Sequence, residues 1–470
     1  SGVRIMAWTI NNGKLYFNTK LYTGNGANNH AITGVGFQPD FVWCKNRTSA
    51  QSHALVNSVT GRKALQSNAT DAEYVMDAGK DFGTFDSDGF TVLVPNQLNS
   101  FNFNNGSIVS WNWLAAGTAP SNTYAVKVVS DSGNKYRFDN FGTSAVTLEI
   151  SEGGTFTFDQ SDSSNNGHPL RFATQADGAN SSQYTTGVTT NGTPGQAGAY
   201  TRITVAASAP TLFYYCTNHT GMGGQANTPV TNSFSNFAGS IQSNISPNTT
   251  SGFSIVKYTG NGTGNSTIGH GLGATPKFII VKNLTTAQDW GTYSPSFVSA
   301  SDPNVLYLSK NSAQVDDTNV WGTSAVFNNN TFTVGDWVGS NQSGSNFIAY
   351  CFNDVQGFSK MGSYTGNGST NGTFIYTGFK PAFVMIKSSS SAQSWSILDI
   401  KRDVNPNAKV LWPNDNYAEY DETQGVDFLS NGFKNRESGD GFNGSGATYI
   451  YMAFAENPFT SSAGTPVTAR

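Results

Sequence analysis

The sequence has few charged residues, few cysteines and no long hydrophobic run, and each shortage excludes a class of protein. Charged residues make up 12% of the 470 positions, and 26 basic against 30 acidic residues leave a net charge of −4. Because there is no basic block, electrostatic binding of nucleic acid is not expected. No apolar stretch approaches the ~20 residues that a membrane-spanning helix needs. Three cysteines are an odd count, so no disulfide framework is predicted.

What the sequence does contain is typical of β proteins with buried cores. Aromatic residues make up 13% of the chain. Asn-Gly and Asp-Gly pairs, which favour hairpin turns, separate runs of β-branched and aromatic residues. No helical periodicity extends over ten residues, so we expect little helix.

Four sequence anchors recur three times in the same order. They are the pentapeptide YTGNG, a proline-led hydrophobic run that ends in lysine, a turn followed by phenylalanine, and a closing aromatic run. The pentapeptide begins at Tyr22, Tyr258 and Tyr364, and the proline follows 17 or 18 residues later. The closing runs end at Trp113, Phe352 and Phe454. The sequence therefore predicts one β-sandwich domain of about 100 residues present three times, with a jelly-roll or lectin-like architecture.

The copies are unequally spaced, which indicates an insertion between the first and the second. We predict repeat 1 with its N-terminal segment at 1–117, an inserted β domain at 120–230, repeat 2 at 251–358, repeat 3 at 359–460 and a tail at 461–470. The Ser- and Asn-rich segment 233–252 is typical of a linker.

The repeat alignment assigns structural roles to several reactive residues. Cys44 and Cys351 fall in apolar runs whose equivalent positions carry other residues, so both thiols should be free and buried. His53 occupies a position that is tryptophan in the other copies, which favours a packing role. His30 and His270 have no partner that the sequence identifies. Asp86 and Asp88 lie in an Asp-Gly turn, and the turn explains them better than a cation site does.

No enzyme motif is present. The chain has no GxSxG, HExxH or P-loop pattern. A glycan-cleaving enzyme needs two carboxylates about 5–10 Å apart, and no pair in the sequence has a spacing that indicates this. We therefore expect a protein that is not an enzyme.

The inserted domain contains a candidate metal site. Cys216, His219 and Met222 form C-x2-H-x2-M at the end of a strand-like run, and His168 lies 48 residues before the cysteine. Two imidazoles, a thiolate and a weak thioether form the ligand set of blue-copper sites, and soft sulfur donors favour copper over zinc. The alternative is that Cys216 is a small buried hydrophobe and Met222 fills a gap in the core.

The repeat resembles a domain of unknown function that recurs in virion structural proteins of tailed phages, especially marine and cyanobacterial ones. The residues that carry the resemblance are YTGNG, the proline-led strand, the closing aromatic run and the ending FAENPF with PVTAR. It implies a β-sandwich virion component on the particle surface, in a head fibre, a decoration or a tail fibre. The implied partners are other virion proteins, further copies of the chain in a homo-oligomer such as a trimer, and a host-surface glycan or receptor.

The insert resembles a cupredoxin, which implies a Greek-key β-sandwich. Carried over to this sequence, His168, Cys216 and His219 would be equatorial ligands of copper and Met222 the axial ligand. This leaves a second function open, that of a secreted copper-binding electron-transfer protein with the repeats as attachment modules. The polar neighbours Asn165, Asn166 and Asn218 depart from the drier rim usual in redox carriers.

Overall fold

The computed structural model describes residues 10, 12–299, 302–403 and 407–456. The described chain is built almost entirely of antiparallel β-strands arranged as repeated β-sandwiches, which confirms the predicted fold class. Its α-helices are single turns: α1 (Asn99–Asn102), α2 (Thr318–Trp321) and α3 (Val338–Asn341). Short 3-10 turns lie at Gly13–Leu15, Ser163–Asn165 and Ala176–Ser181. Within these described residues, no helix has the length and apolar character to cross a membrane.

Repeat 1 and the insert follow one another along the chain. Repeat 1 comprises β1 (Phe17–Thr23), β2 (His30–Thr33), β3 (Phe41–Asn46), β4 (Ala54–Asn57), β5 (Gly61–Leu65), β6 (Tyr74–Val75), β7 (Phe82–Asp86), β8 (Gly89–Val92) and β9 (Ser107–Trp113). The insert comprises β10 (Ser121–Ser130), β11 (Asn134–Phe138), β12 (Leu148–Glu149), β13 (Thr155–Asp159), β14 (Leu170–Ala173), β15 (Gln183–Tyr184), β16 (Val188–Asn191), β17 (Tyr200–Thr204), β18 (Leu212–Cys216) and β19 (Gly224–Asn227).

Repeats 2 and 3 complete the described chain. The strands of repeat 2, with two that precede it, are β20 (Phe234–Asn236), β21 (Ser243–Asn248), β22 (Phe253–Thr259), β23 (Ser266–Gly269), β24 (Phe278–Asn283), β25 (Gly291–Tyr293), β26 (Val298–Ser299), β27 (Asp302–Tyr307), β28 (Val315–Asp316), β29 (Thr331–Val334) and β30 (Asn346–Phe352). Repeat 3 comprises β31 (Ser359–Thr365), β32 (Phe374–Tyr376), β33 (Phe383–Ser388), β34 (Ser396–Asp399), β35 (Asn407–Val410), β36 (Tyr420–Leu429), β37 (Gly432–Asn435) and β38 (Thr448–Phe454).

The three repeats share one strand register. In each, the closing strand pairs on one side with the first strand and on the other with the proline-led strand. Trp113 lies between Phe17 and Phe41. The equivalent residues lie at the same register position of their own sheets, Phe352 between Phe253 and Phe278, and Phe454 between Ser359 and Phe383. The predicted equivalence of the three closing residues is therefore confirmed.

The YTGNG pentapeptide is a clamped loop. In every copy the tyrosine hydroxyl donates to a backbone carbonyl 2.6–2.7 Å away, that of Phe101, Ser340 or Phe442. The residue after that carbonyl is a buried asparagine whose side-chain oxygen accepts from the backbone N–H of the motif asparagine: Asn102 for Asn25, Asn341 for Asn261 and Asn443 for Asn367. The motif is thus explained by the fold, because its polar groups are satisfied inside each sandwich.

The closing residues of the three repeats meet one another. Ring centroids lie 6.4 Å apart for Trp113 and Phe352, 5.8 Å for Trp113 and Phe454, and 5.9 Å for Phe352 and Phe454. All three rings are buried in one continuous hydrophobic cluster. The main sheets therefore converge on a common aromatic core, with threefold internal similarity.

A cyclic set of hydrogen bonds connects each repeat to the next around this core. One equivalent position holds His53 in repeat 1, Trp290 in repeat 2 and Trp395 in repeat 3. In each repeat this side chain donates a ring N–H to a backbone carbonyl of another repeat. These bonds run from His53 to Trp412 (2.9 Å), from Trp290 to Gln66 (3.2 Å) and from Trp395 to Tyr307 (3.0 Å). Because the three acceptors occupy equivalent positions in their own repeats, the bonds close a ring.

The segment predicted to be a linker is part of a sheet, so that prediction is wrong. β21 pairs along the edge of β22 over six residues, from Ser243 opposite Tyr258 to Asn248 opposite Phe253. The serines of β21 are buried rather than solvated, and Ile245 packs into the core. Composition misled here because the segment's small polar side chains are satisfied by hydrogen bonds within the structure.

In repeat 2, β21 covers the outer edge of the first strand, whereas in repeats 1 and 3 a carboxylate protects the equivalent edge. β1 and β31 end their sheets, with no strand beyond them in the described chain. The Thr19 N–H donates instead to a carboxylate oxygen of Glu456 (3.1 Å), and the equivalent Met361 N–H donates to Asp354 (2.7 Å). A carboxylate therefore takes the hydrogen-bonding place of a neighbouring strand, which blunts the edge.

A buried aspartate fastens the insert to repeat 1. The carboxylate of Asp40 accepts from the backbone N–H groups of Ala115 (2.8 Å) and Gly117 (3.0 Å), where the chain leaves the repeat. It also accepts from the side chain of Asn232 (2.8 Å), where the chain returns. Both connections of the insert thus converge on one side chain.

Each repeat buries the lysine that ends its proline-led strand. Each amino group donates to a backbone carbonyl. Lys45 reaches Asn416 of repeat 3, Lys282 reaches Thr70 of repeat 1, and Lys387 bonds to Ser388 within its own repeat. Burial lowers the pKa of Lys45 and Lys387 to about 7 and that of Lys282 to about 8.

These lysines predict a rise in stability above neutral pH. Between the lowered pKa of the folded state and the ordinary pKa near 10.4, the unfolded chain binds more protons, so the free energy of unfolding increases with pH. We expect an increase of about 1–2 kcal/mol per lysine between pH 7.5 and 9.5, measured by denaturant titration.

Lys387→Met should reduce this pH dependence, whereas the same change at the half-buried Lys257 should leave it unchanged. A pH profile of the Lys387→Met protein identical to that of the wild type would contradict the assignment.

Candidate metal centre

The insert is a sandwich of two five-stranded sheets. One has the strand order β11-β10-β13-β17-β16 and the other β12-β19-β18-β14-β15. Aromatic rings fill the space between them, with centroids 5.2–5.4 Å apart for Tyr124 with Phe158, Phe138 with Tyr214 and Phe158 with Phe172. This rigid core fixes the strand ends at which the candidate ligands lie.

Two neighbouring strands bring the distant histidine to the cysteine. Cys216 is the last residue of β18, and Leu170 at the start of β14 lies directly opposite it. His168 precedes Leu170 by two residues, so its side chain lies beside the end of β18. The predicted neighbourhood of the His168 and Cys216 segments is confirmed.

Three of the four predicted residues form a compact cluster. The Cys216 Sγ lies 3.8 Å from His168 Nδ1 and 3.6 Å from His219 Nδ1. The imidazole centroids are 4.5 Å apart, and the three ligand atoms lie within 4.8 Å of one another. Both rings present the same nitrogen to the sulfur.

These separations match a shared metal ion. Nitrogen and sulfur ligands lie about 2.0–2.3 Å from an ion such as zinc, so at tetrahedral or trigonal angles they are about 3.5–3.8 Å apart. The two sulfur–nitrogen distances fall in that range. The donor set therefore fits a thiophilic transition-metal ion without rearrangement of the cysteine and either histidine.

Met222 lies on the same loop, inside the protein. It follows His219 by three residues, is buried, and belongs to the hydrophobic cluster that includes Cys216. Its backbone carbonyl accepts from the Tyr136 N–H (2.9 Å). The loop is tied down on both sides, by Asn218 Nδ2 donating to the Gly167 carbonyl (2.9 Å) and by the Gly221 N–H donating to Asp177 (2.9 Å).

Residues that the sequence did not identify hold His168 in place. Its backbone carbonyl accepts from the Tyr136 hydroxyl (2.9 Å) and from Gln160 Nε2 (2.8 Å), and its N–H donates to the Asn165 carbonyl (2.8 Å). No local pattern marks Tyr136 or Gln160, because both donate to a backbone carbonyl, which any residue possesses. The Tyr136 hydroxyl also interacts with the side chain of Cys216. They are positioning residues rather than ligands.

The cluster is buried at the sulfur and open at the imidazoles. Cys216 is buried, His168 is half-buried and His219 is exposed. Burial, followed by the neighbouring His219, lowers the pKa of His168. Neutral imidazole is the form that binds metal ions, so this environment favours ligation near neutral pH and leaves a route of entry from solvent.

The other reactive residues have structural roles. All three cysteines are free, and burial raises the pKa of Cys44 to about 12 and also raises that of Cys351. His53 accepts from Trp43 Nε1 (2.8 Å), which confirms a packing role.

The structure also gives partners to the residues that the sequence left unassigned. His270 lies in a buried turn, where its Nε2 donates to the Asn328 carbonyl (3.1 Å), and burial lowers its pKa to about 4. His30 Nδ1 lies 3.2 Å from Asn102 Oδ1. The Asp88 carboxylate accepts from the N–H groups of Gly34 (2.9 Å) and Gly36 (2.7 Å), as expected of a turn residue.

The fold and the cluster together define a protein of repeated β-sandwiches with a cysteine–histidine cluster in an inserted domain. The family model described as Domain of unknown function (DUF7483) matches residues 12–146 and 225–458. These segments make up more than half of the chain, so the chain belongs to this family. No curated protein and no solved structure matches it. The segment between the two matched parts carries all four candidate ligands.

The positioning of the ligands can be tested by removing the Tyr136 hydroxyl, which interacts with both the His168 carbonyl and Cys216. In Tyr136→Phe we expect the affinity for Co²⁺, followed by its thiolate absorption, to fall about tenfold or more, since groups that orient ligands typically contribute that much. The matched control is Tyr124→Phe, which removes another buried hydroxyl of the same domain, bonded to the Ser235 carbonyl (2.8 Å). Equal affinities of the two variants would contradict the assignment.

Proposed function

We propose that this chain is a structural protein of the surface of a phage particle, in a head fibre, a decoration or a tail fibre, and that it contributes to host attachment. The observation that carries the proposal is the ring of three sandwiches, closed by a shared aromatic core and by hydrogen bonds between repeats. Such a body is held together by buried aromatic contacts and hydrogen bonds, with its three cysteines free, which suits an extracellular particle. The resemblance of the repeat to phage virion domains points the same way.

The surface of the ring suits attachment. Loops positioned by a rigid scaffold are where binding residues are most common. The low charge and the abundance of Asn, Gly, Ser and Thr favour contacts with neutral, hydroxyl-rich ligands such as glycans. The partners we propose are other virion proteins, further copies of the chain in a homo-oligomer such as a trimer, and a host-surface glycan or receptor.

The test of this function is the location of the protein on intact particles. An antibody raised against the recombinant chain should label purified particles of the phage that encodes it in electron micrographs. Peptides of the chain should be found by mass spectrometry in particles purified through a density gradient. Particles free of both signals would reject the proposal.

We further propose that the insert is a cupredoxin-like domain able to hold copper. His168, Cys216 and His219 would supply two imidazoles and a thiolate, and Met222 a weak thioether, a set that suits copper in both oxidation states. Bound copper would supply reversible one-electron chemistry. Tyr136 and Gln160 orient His168, and the burial of Cys216 excludes water from its sulfur.

The cluster also supports a second candidate function, that of a secreted copper protein that transfers electrons, with the repeats as attachment modules. The exposed His219 edge favours it, because electrons would enter or leave the site there. The amide side chain of Asn218, at the same exposed rim, argues for the structural role, in which a bound ion stiffens the loop.

Addition of Cu²⁺ to the full chain should produce an intense thiolate-to-copper absorption. The band should vanish in Cys216→Ser, because the charge transfer starts from that sulfur. The control is Cys351→Ala, which places at position 351 the residue that repeat 3 carries at Ala453, and it should retain the band. Absence of the band in the wild-type protein would reject the copper site but not the particle location.

A further inference from the structure

A loop of repeat 3 is held rigidly by repeat 1. The backbone carbonyls of Trp412, Pro413 and Asn416 accept from the side chains of His53 (2.9 Å), Ser67 (2.7 Å) and Lys45 (3.2 Å). The Glu419 N–H donates to the Arg47 carbonyl (2.8 Å), and the two side chains form a bidentate ion pair at 2.7 and 2.8 Å. Four residues of the segment 412–420 are thus engaged in the contact between repeats.

The same loop occurs in repeat 1, at residues 66–74, where it packs on repeat 2. The side-chain oxygen of Asn68 accepts from the His53 N–H (2.9 Å), and that of Asn414 accepts from the N–H of the equivalent Trp395 (2.8 Å). The Thr70 carbonyl accepts from Lys282, and the Glu73 N–H donates to the Leu284 carbonyl (3.0 Å), as their counterparts do in repeat 3. The two loops therefore share a backbone conformation and differ in the side chains that face outward.

The outward side chains of the repeat 3 loop are aromatic. Trp412, Tyr417 and Tyr420 take the positions of Gln66, Asp71 and Tyr74. Tyr417 is 59% and Tyr420 50% exposed, and Trp412 is half-buried. Since repeat 1 forms the same loop with Gln66 and Asp71, the loop itself does not require aromatic rings at these positions. Trp412 also packs partly on the core of repeat 3, whereas Tyr417 is exposed. The exposure of the rings costs solvation free energy that a ligand would recover.

The three rings form a shallow corner. The Trp412 ring centroid lies 5.4 Å from that of Tyr420 at an interplanar angle of 32°, which is an offset stack. It lies 6.2 Å from that of Tyr417 at 83°, so these two rings meet edge to face. Polar groups border the corner, among them the exposed Asn416 and the ion pair of Lys409 with Asp421 (2.7 Å). That pair neutralises its own charges, and Asp415 beside Asn416 adds a carboxylate that can accept hydrogen bonds from hydroxyl groups.

We propose that Trp412, Tyr417 and Tyr420 form a binding site for a pyranose-containing oligosaccharide. A pyranose has one face of C–H groups, which packs on aromatic rings, and a rim of hydroxyls, which bonds to bordering amide and carboxylate groups. The corner offers both, on a backbone that is already ordered, so binding loses little conformational entropy. The proposal rests on the proposed attachment function for the source of the glycan, but its chemistry depends on this loop alone.

The experiment uses the substitutions that the chain itself provides. Wild-type protein is applied to an array of neutral, acidic and N-acetylated oligosaccharides, and the bound glycans are titrated. Trp412→Gln and Tyr417→Asp, which install the residues of the repeat 1 loop, should each weaken binding about tenfold or more, and Tyr417→Asp should leave thermal unfolding unchanged. Tyr417→Asp is the cleaner variant, because Trp412 also packs on the core of repeat 3 and its loss should lower the unfolding temperature as well. As a control, Gln66→Ala, in the equivalent loop, should bind as the wild type does.

Two outcomes overturn the proposal. One is an array with no bound glycan, or with binding that both substitutions leave unchanged. The other is self-association of the wild-type protein in sedimentation velocity that Trp412→Gln abolishes, which would make the aromatic corner an interface between copies. Neither outcome alters the test on intact particles, so failure of this site and failure of the particle location remain distinguishable.

Discussion

The structure depends on the aromatic contact in which Trp113, Phe352 and Phe454 meet. Each of these residues ends the closing strand of its own repeat. The same side chain therefore belongs to one sandwich and packs against the two others. The three sandwiches therefore pack against one another instead of being joined only by the chain. Burial of large aromatic area is the dominant favourable term in such contacts, and here it is concentrated at the centre of three domains.

The sequence predicted the repeats because their anchors are residues with specific structural duties. The tyrosine of YTGNG needs a buried carbonyl, and the glycine after its threonine lies against a backbone: a side-chain carbon on Gly24 would come within 2.2 Å of the Phe103 carbonyl. Such requirements restrict the residue type at each copy and produce a visible pattern. The ring was not predictable, because the bonds that close it end on backbone carbonyls, which every residue possesses.

In the candidate site, too, features set by side-chain identity were predictable, and features that depend on backbone atoms were not. Cys216, His219 and Met222 share a seven-residue segment, so their proximity follows from local geometry, and His168 follows from the pairing of β14 with β18. Tyr136 and Gln160 were missed because they act through the backbone of His168. β21 was mistaken for a linker because its small polar residues are typical of solvated segments, although its strand pairing buries them.

The contact between repeats 1 and 3 joins residues at opposite ends of the chain, and this has a consequence for synthesis. Lys45 and Asn416 are 371 residues apart in sequence, as measured along their hydrogen bond. At roughly 5–20 residues per second, a ribosome needs about 20–75 s to deliver the second partner after the first. Repeat 1 therefore waits beside the ribosome with its aromatic face toward repeat 3 uncovered, and the nascent chain needs protection from aggregation until repeat 3 has been synthesised.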